Sequence, residues 1–248
     1  MRILISNDDG FLREGIRTLE AVLKKHGHDV YTVAPHTEQS ARSHSMTVTG
    51  EIAAWCHDDH HFSLEGTPAD CVIYSLNSGL VPFPDLIIGG INHGYNRSTD
   101  TIYSGTCAVA RQSAMYGIPG IAISAERDEE GNFDFLSPSE YLASRLTYFH
   151  SLLEGSESFL SINFPPHWNG KVEKAALGTI RYDDKFTSKK SGNKTYLKVA
   201  SSTIEYIPSP SAMGLDMDTV VTARGSASIS IIRISPVVDE EKMSLLEL

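Results

Sequence analysis

The first 35 residues alternate strand, helix and strand, and that alternation limits the fold more than any other feature. RILIS, Arg2 to Ser6, is an apolar run that ends in Asn7-Asp8-Asp9-Gly10. Ile16, Leu19, Val22 and Leu23 then recur at helical spacing, and Gly27 stops them. HDVYTVA, His28 to Ala34, is a second strand closed by Pro35. Two strands joined through a helix lie parallel, so the expected class is α/β: a Rossmann-like, mostly parallel sheet flanked by helices.

The rest of the chain keeps to this plan for about 130 residues more. PHTEQSARSHSMT, Pro35 to Thr47, reads as a polar loop, and a weaker strand or hairpin follows between Val48 and Leu64. EGTPADCVIYSLNSG predicts a helix with Thr67 as N-cap, Pro68 in the first position, Asp70 in the third and Gly79 as the stop. DLIIGGIN, Asp85 to Asn92, and IPGIAIS read as strands on either side of the helix AVARQSAMYG. Ser137-Pro138 opens a helix with the face Leu142, Leu146, Phe149 and Leu153, and SFLSINFPP is the next strand. After Trp168 the composition turns polar and rich in Lys, Ser and Gly. That change predicts a projecting hairpin arm around Ser191-Gly192-Asn193, then a return strand, SASISIIRI, and an acidic tail helix, DEEKMSLLEL. The division expected is 1–168 for the core and its site, and 169–248 for arm, return strand and tail.

A net charge of −10 gives no basic face for a nucleic-acid polymer. No apolar run reaches the ~20 residues that span a bilayer, and Asp8 and Asp9 interrupt any leader-like pattern. Cys56, Cys71 and Cys107 are odd in number and widely spaced, which fits a reducing compartment. The expectation is a soluble cytoplasmic protein without a membrane partner. An anionic substrate would need a local positive centre, either a metal ion or a helix N-terminus.

Two adjacent carboxylates repel unless something positive lies beside them. In open parallel sheets, ligands bind beyond the carboxyl ends of the strands. That rule gathers Asp8 and Asp9 after the first strand, Ser40 in the loop after the second, and Asn92 after GGI. All are hard oxygen donors, suited to Mg²⁺, Mn²⁺ or Ca²⁺ rather than zinc. The competing reading is a turn with helix-capping carboxylates. The two glycines before Asn92 suggest a close backbone approach. Ser104, Gly105 and Thr106 stand where a loop enters a helix, a place that favours phosphate, with an ordinary cap as the alternative. Asn96 and Asp100 precede them and would either orient a ligand or bond their own loop. CHDDHH, Cys56 to His61, has no metal-site spacing and reads as a solvated hairpin loop. His36 and His44, which flank Ser40, rank with ordinary loop residues. Lys185, Lys189, Lys190, Lys194 and Lys198 make the arm basic, either as a solvated face or as a contact between subunits.

ILISNDDG, VAP with Ser40 beyond it, EGTPADCV, GGIN and N-x-x-x-D-x-x-YSGT, in this order, resemble the SurE (survival protein E) family, as does the looser stretch Asp218 to Ile229. The resemblance implies a Rossmann-like core with a hairpin arm and a swapped C-terminal segment, assembled as dimers or tetramers. It implies metal-dependent release of phosphate from nucleoside 5′- or 3′-monophosphates, and from short polyphosphate in some members. One divalent cation per subunit, Mg²⁺ or Mn²⁺, would be held by Asp8, Asp9, Ser40 and Asn92, with Asp8 and Asp9 catalytic. Phosphate would contact Asn96, Ser104, Gly105 and Thr106. The chain departs from the family pattern at Gly89, where Ser is usual, and at Ser98, where Gly is usual. Arg111-Gln112 stand near a usual Glu-Gly, and the arm reads DDKFTSKKSGNK in place of a DPRG-like string.

Two other acidic sites fit less well. Dehalogenase-like phosphatases separate their aspartates by one residue. Receiver domains need an Asp ending a central strand and a Lys ending a later one. A nucleotide-binding module without turnover remains an alternative that only geometry and assay separate.

Overall fold

The protein is described by a computed structural model covering residues 1–209, 213–236 and 243. The expected tail helix, 239–248, lies outside the described residues except for Met243.

The opening alternation folds as read: β1 (Arg2–Ser6), α1 (Glu14–Lys25) and β2 (Asp29–Pro35), with β1 and β2 parallel. The expected hairpin is shorter, β3 (Ala54–Asp58) and β4 (His61–Leu64). Next come α2 (Pro68–Asn77), β5 (Leu86–His93), a 3-10 turn at Ser98–Ile102, α3 (Gly105–Met115), β6 (Gly120–Ala125), α4 (Leu136–Leu153) and β7 (Ser158–Phe164). β8 (Val172–Lys174) is followed by the arm, β9 (Thr179–Ser191) and β10 (Lys194–Ile207), and then by α5 (Asp218–Ala223) and β11 (Ala227–Arg233). The main sheet runs β3-β4-β2-β1-β5-β6-β7-β11-β8. It is parallel from β4 to β7, while β11 runs antiparallel to β7 and parallel to β8. Strands from beyond residue 168 therefore finish the sheet begun by the first half.

Every residue of the predicted α1 face is buried, and so are Leu142, Leu146, Phe149 and Leu153 of α4. α1 and α4 cover one side of the sheet over Ile3, Ile5, Ile88 and Ile123. α2 and α3 cover the other over Leu4, Val33 and Ile87. β6 is buried throughout, as a central strand with both faces covered must be. α2 begins with the expected capping box: Thr67 Oγ1 accepts from Asp70 N, and the Asp70 carboxylate accepts from Thr67 N.

The arm is a separate two-stranded ribbon that turns through Gly192 and Asn193. Gly192 has φ +60, as the first central residue of a II′ hairpin turn requires. All three cysteines are unpaired. Among the described residues, no helix is long and apolar enough to cross a membrane.

Candidate functional site

The chain leaves β1 toward β2 on one side and later returns through β5 on the other. The strand order therefore reverses between β1 and β5, where α/β sheets open a crevice. The pairing Ser6↔Gly89 aligns the carboxyl ends of the two strands. Asp8 and Asp9 follow one end and Asn92 closes the other. A cleft of about 850 Å³ opens here, lined by Asp8, Asp9, Ser40, Asn92, Asn96 and Ser104 among others.

Asp8 is 4% exposed. Its Oδ2 accepts from Gly105 N–H at 3.1 Å and its Oδ1 from the Thr106 hydroxyl at 2.7 Å. Asn92 Oδ1 lies 3.5 Å from that same hydroxyl, so the carboxylate and the amide oxygen share one neighbour. Burial pushes the Asp8 carboxyl up to about 6, and the charge of Asp9 adds to the rise against the two hydrogen bonds. Asp9 Oδ2 accepts from His93 N–H at 3.2 Å. His93 Nδ1 lies 3.0 Å from that oxygen, close enough for an ion pair but outside hydrogen-bond geometry. The ring is wedged edge-on against Phe133 and Phe135. Asn7 braces the turn by bonding Gly10 with both ends of its amide.

The Ser40 loop is fastened to the same point by Gln39 N–H, which donates to the Asp8 carbonyl at 2.7 Å. Ser40 itself is exposed and its hydroxyl donates to Glu38. Asn96 is buried: its N–H donates to Asn163 Oδ1 at 2.7 Å and its amide to Ser124 Oγ at 2.9 Å. Ser104 caps α3 by accepting from Cys107 N–H at 3.0 Å.

Gly105 and Thr106, expected at a phosphate, have the Gly105 N–H and the Thr106 hydroxyl committed to Asp8, and Thr106 is fully buried. They orient the carboxylate. The glycines before Asn92 make the close backbone approach expected of them, to the start of α3: a Cβ on Gly89 would lie 2.3 Å from the Thr106 carbonyl oxygen. That contact seats the start of α3 against β5. At Gly105 a Cβ would lie 2.7 Å from Asp8 Cβ and 2.8 Å from Pro68 Cγ.

His93, Asn163 and Tyr182 are absent from the expected site residues, and Asp218 stands there only as the start of a family-like stretch. His93 had a signal, since it follows Asn92 at a strand end. Asn163 and Ser124 sit opposite each other on paired β6 and β7, a register invisible in one sequence. Asp218, at the start of α5, accepts from Ser98 N–H and Oγ at 2.6 Å each. Tyr182, on the arm, reaches Asp100. Elsewhere, CHDDHH forms the β3–β4 hairpin as read, with His61 between Asp58 and Glu20. Among the described residues, no group of three or more His, Cys, Asp or Glu is disposed to hold a metal ion. A cation in the cleft would thus rest on two carboxylates supplemented by neutral oxygens.

The chain resembles proteins of known family along most of its length. The family model described as survival protein SurE matches residues 3–186. The 5′-nucleotidase SurE of Desulforudis audaxviator is 37% identical over 189 residues, 74% of each chain. That of Brucella anthropi is 45% identical over 132 residues, 53% of this chain and about half, 51%, of that protein. The crystal structure of the SurE protein from Aquifex aeolicus superposes with a TM-score of 0.80 at 25% identity, covering 99% of this chain and 98% of the other. With its sheet order, its β1–β5 crevice and this span of matched residues, the chain belongs to the SurE family.

Proposed function

We propose that this chain is a divalent-cation-dependent phosphomonoesterase that releases phosphate from nucleoside monophosphates. The observation that carries the reading is the convergence of Asp8, Asp9 and Asn92 oxygens at the β1–β5 crevice, beside the N-terminus of α3. The name 5′-nucleotidase borne by the relatives supports it and favours the 5′-phosphate over the 3′.

The donor set fits Mg²⁺ or Mn²⁺, and Ca²⁺ as a further hard cation: a desolvated carboxylate, a second carboxylate, an amide oxygen and the Ser40 hydroxyl. When bound, the cation supplies positive charge to a phosphoryl oxygen and lowers the pKa of water. The chain does the rest by position. Gly105 and Thr106 fix both oxygens of Asp8, so this ligand needs no reorientation. His93 orients Asp9, whose outer oxygen is left to hold an attacking water. Ser104 and Asn96 line the place where the phosphate would sit, with the α3 N-terminus adding partial positive charge. Short polyphosphate fits less well, because among the described residues the lining holds Asp8, Asp9, Asp100 and Asp184 and no Lys or Arg.

The arm supports self-association as dimer or tetramer. Beyond its root, the arm's register places Phe186 opposite Val199 and Ser188 opposite Leu197, all on one face and largely exposed. A lone two-stranded ribbon is marginal in water, so a second copy is the partner that would cover this face. The unpaired cysteines suit the cytoplasm.

The test is phosphate release from a panel of 5′- and 3′-monophosphates with Mg²⁺, Mn²⁺ or EDTA, beside Asp9→Asn. Metal-dependent release that the folded variant lacks supports the reading. Binding of nucleotide or cation without release under any condition replaces it with a binding module.

A further inference from the structure

The chemistry above uses one end of the cleft. The opposite wall is the root of the arm, where Ile180, Tyr182 and Asp184 of β9 line the same cavity. This wall is fastened to the loop before α3 at three alternate residues. Gly178 N–H donates to Ser98 Oγ at 3.0 Å. Thr99 Oγ1 accepts from Ile180 N–H at 2.9 Å and donates to its carbonyl at 3.1 Å. The Tyr182 hydroxyl donates to Asp100 and lies 2.8 Å from each of its oxygens. The Tyr182 ring is 46% exposed, yet its tip is held. An aromatic ring that borders open volume and cannot swing away is preorganised to stack on another flat ring.

Charge along the wall points the same way. A linear phosphate chain leading from Asp8 and Asp9 toward the arm would pass Asp100 and Asp184, and among the described residues that line this cleft there is no Lys or Arg; Arg97 and Arg127 line the adjoining cavity that shares Tyr182 and Asp100. An uncharged nucleoside meets the aromatic ring and two hydrogen-bond acceptors on the same path. Specificity is a difference between partners, and a like charge placed against the wrong one widens it.

Building on the phosphomonoesterase reading above, we infer that Tyr182 is a specificity-determining residue. Its ring is the platform for the nucleobase of the leaving group. The acidic arm root beside it, Asp184 above all, excludes leaving groups that are themselves phosphate chains.

The test measures kcat/KM for a nucleoside 5′-monophosphate, glycerol phosphate and tripolyphosphate with wild type, Tyr182→Ala, Tyr182→Phe and Asp184→Lys. Calorimetry of the nucleoside monophosphate and of inorganic phosphate runs beside it. Tyr182→Ala lowers the nucleotide-to-glycerol phosphate ratio by about tenfold, the size expected for one base on one aromatic ring. The loss falls in KM, and calorimetry shows nucleotide affinity dropping toward that of inorganic phosphate. Tyr182→Phe keeps the ring and most of the ratio. Asp184→Lys raises the tripolyphosphate-to-nucleotide ratio by about tenfold, as reversal of a rim charge allows. If Phe falls as far as Ala, the Asp100 bond is a structural tether and the platform is overturned. An unchanged ratio in Asp184→Lys overturns the charge argument. Wild type that cleaves glycerol phosphate as well as the nucleotide overturns the inference and leaves the phosphomonoesterase standing. Wild type that cleaves none of the three overturns both.

Discussion

The Thr106 hydroxyl donates a 2.7 Å hydrogen bond to Asp8 Oδ1 across 98 residues of chain. Both groups are buried, so neither has water to fall back on. Thr106→Val keeps the shape and removes the donor. It is expected to cost about 1–3 kcal/mol of stability, the penalty of a buried acceptor left unpaired. Phosphate release should fall further than stability explains, because one ligand oxygen loses its direction. Thr106→Ser should recover both in denaturant titration and in assay.

The elevated Asp8 carboxyl makes a pH prediction for the metal-free protein. Its folded pKa is about 6 against an ordinary 3.8, so the folded state holds the proton more tightly. Stability is therefore greatest below pH ~4 for this group and declines as pH rises through ~6. The full swing is about 3 kcal/mol. Urea midpoints in EDTA, taken from pH 4 to 7, should decline in wild type relative to Asp8→Asn. Parallel curves would remove the assignment.

A cation held by the pair, as proposed, would reverse that penalty by neutralising it. Mg²⁺ or Mn²⁺ at about 100 times its Kd should stabilise the fold by ~2.7 kcal/mol, which is roughly 5–10 °C in Tm for a chain of this size. The shift should vanish with EDTA and in Asp9→Asn. It should also shrink below pH ~6, where the cation competes with a proton on Asp8. Differential scanning fluorimetry reads all three arms.

Asp218 holds the loop before α3 from a distance. It is 1% exposed and accepts from both the N–H and the hydroxyl of Ser98, whose φ is +51. An L-residue persists in that backbone region only where its surroundings fix it. Asp218→Ala should cost about 3 kcal/mol, leaving the Ser98 N–H, the Ser98 hydroxyl and the Thr219 N–H without this acceptor. Hydrogen exchange should accelerate at residues 98–104 before the sheet responds.

The sheet was legible because its signals are local. The apolar runs of β1, β2, β5, β6 and β7 and the buried stripes of α1 and α4 fall where periodicity puts them. The 3-10 turn, β8 and α5 span five, three and six residues, too few for a period to register. The same divide runs through the site. Asp8, Asp9, Ser40 and Asn92 could be gathered to one cleft because strand ends converge by rule. His93 escaped because an imidazole beside a carboxylate acts through geometry. Gly105 and Thr106 were placed at the right helix without their partner Asp8, since one sequence does not say which anion an N-terminus faces. The arm read as a projection, but nothing in its composition showed that its root borders the cleft.

The bond from Ser98 to Asp218 joins residues 120 apart. During synthesis at about 5–20 residues per second, roughly 6–24 s separate the appearance of the two. For that interval the loop bearing Asn96, Asp100 and Ser104 lacks its Asp218 contact, although every residue that lines the cleft has left the peptidyl-transfer centre by Asp184. A nascent chain therefore owns the parts of its site well before it owns the site. The full set of contacts around the cleft is complete only once Asp218 has followed every residue that lines it.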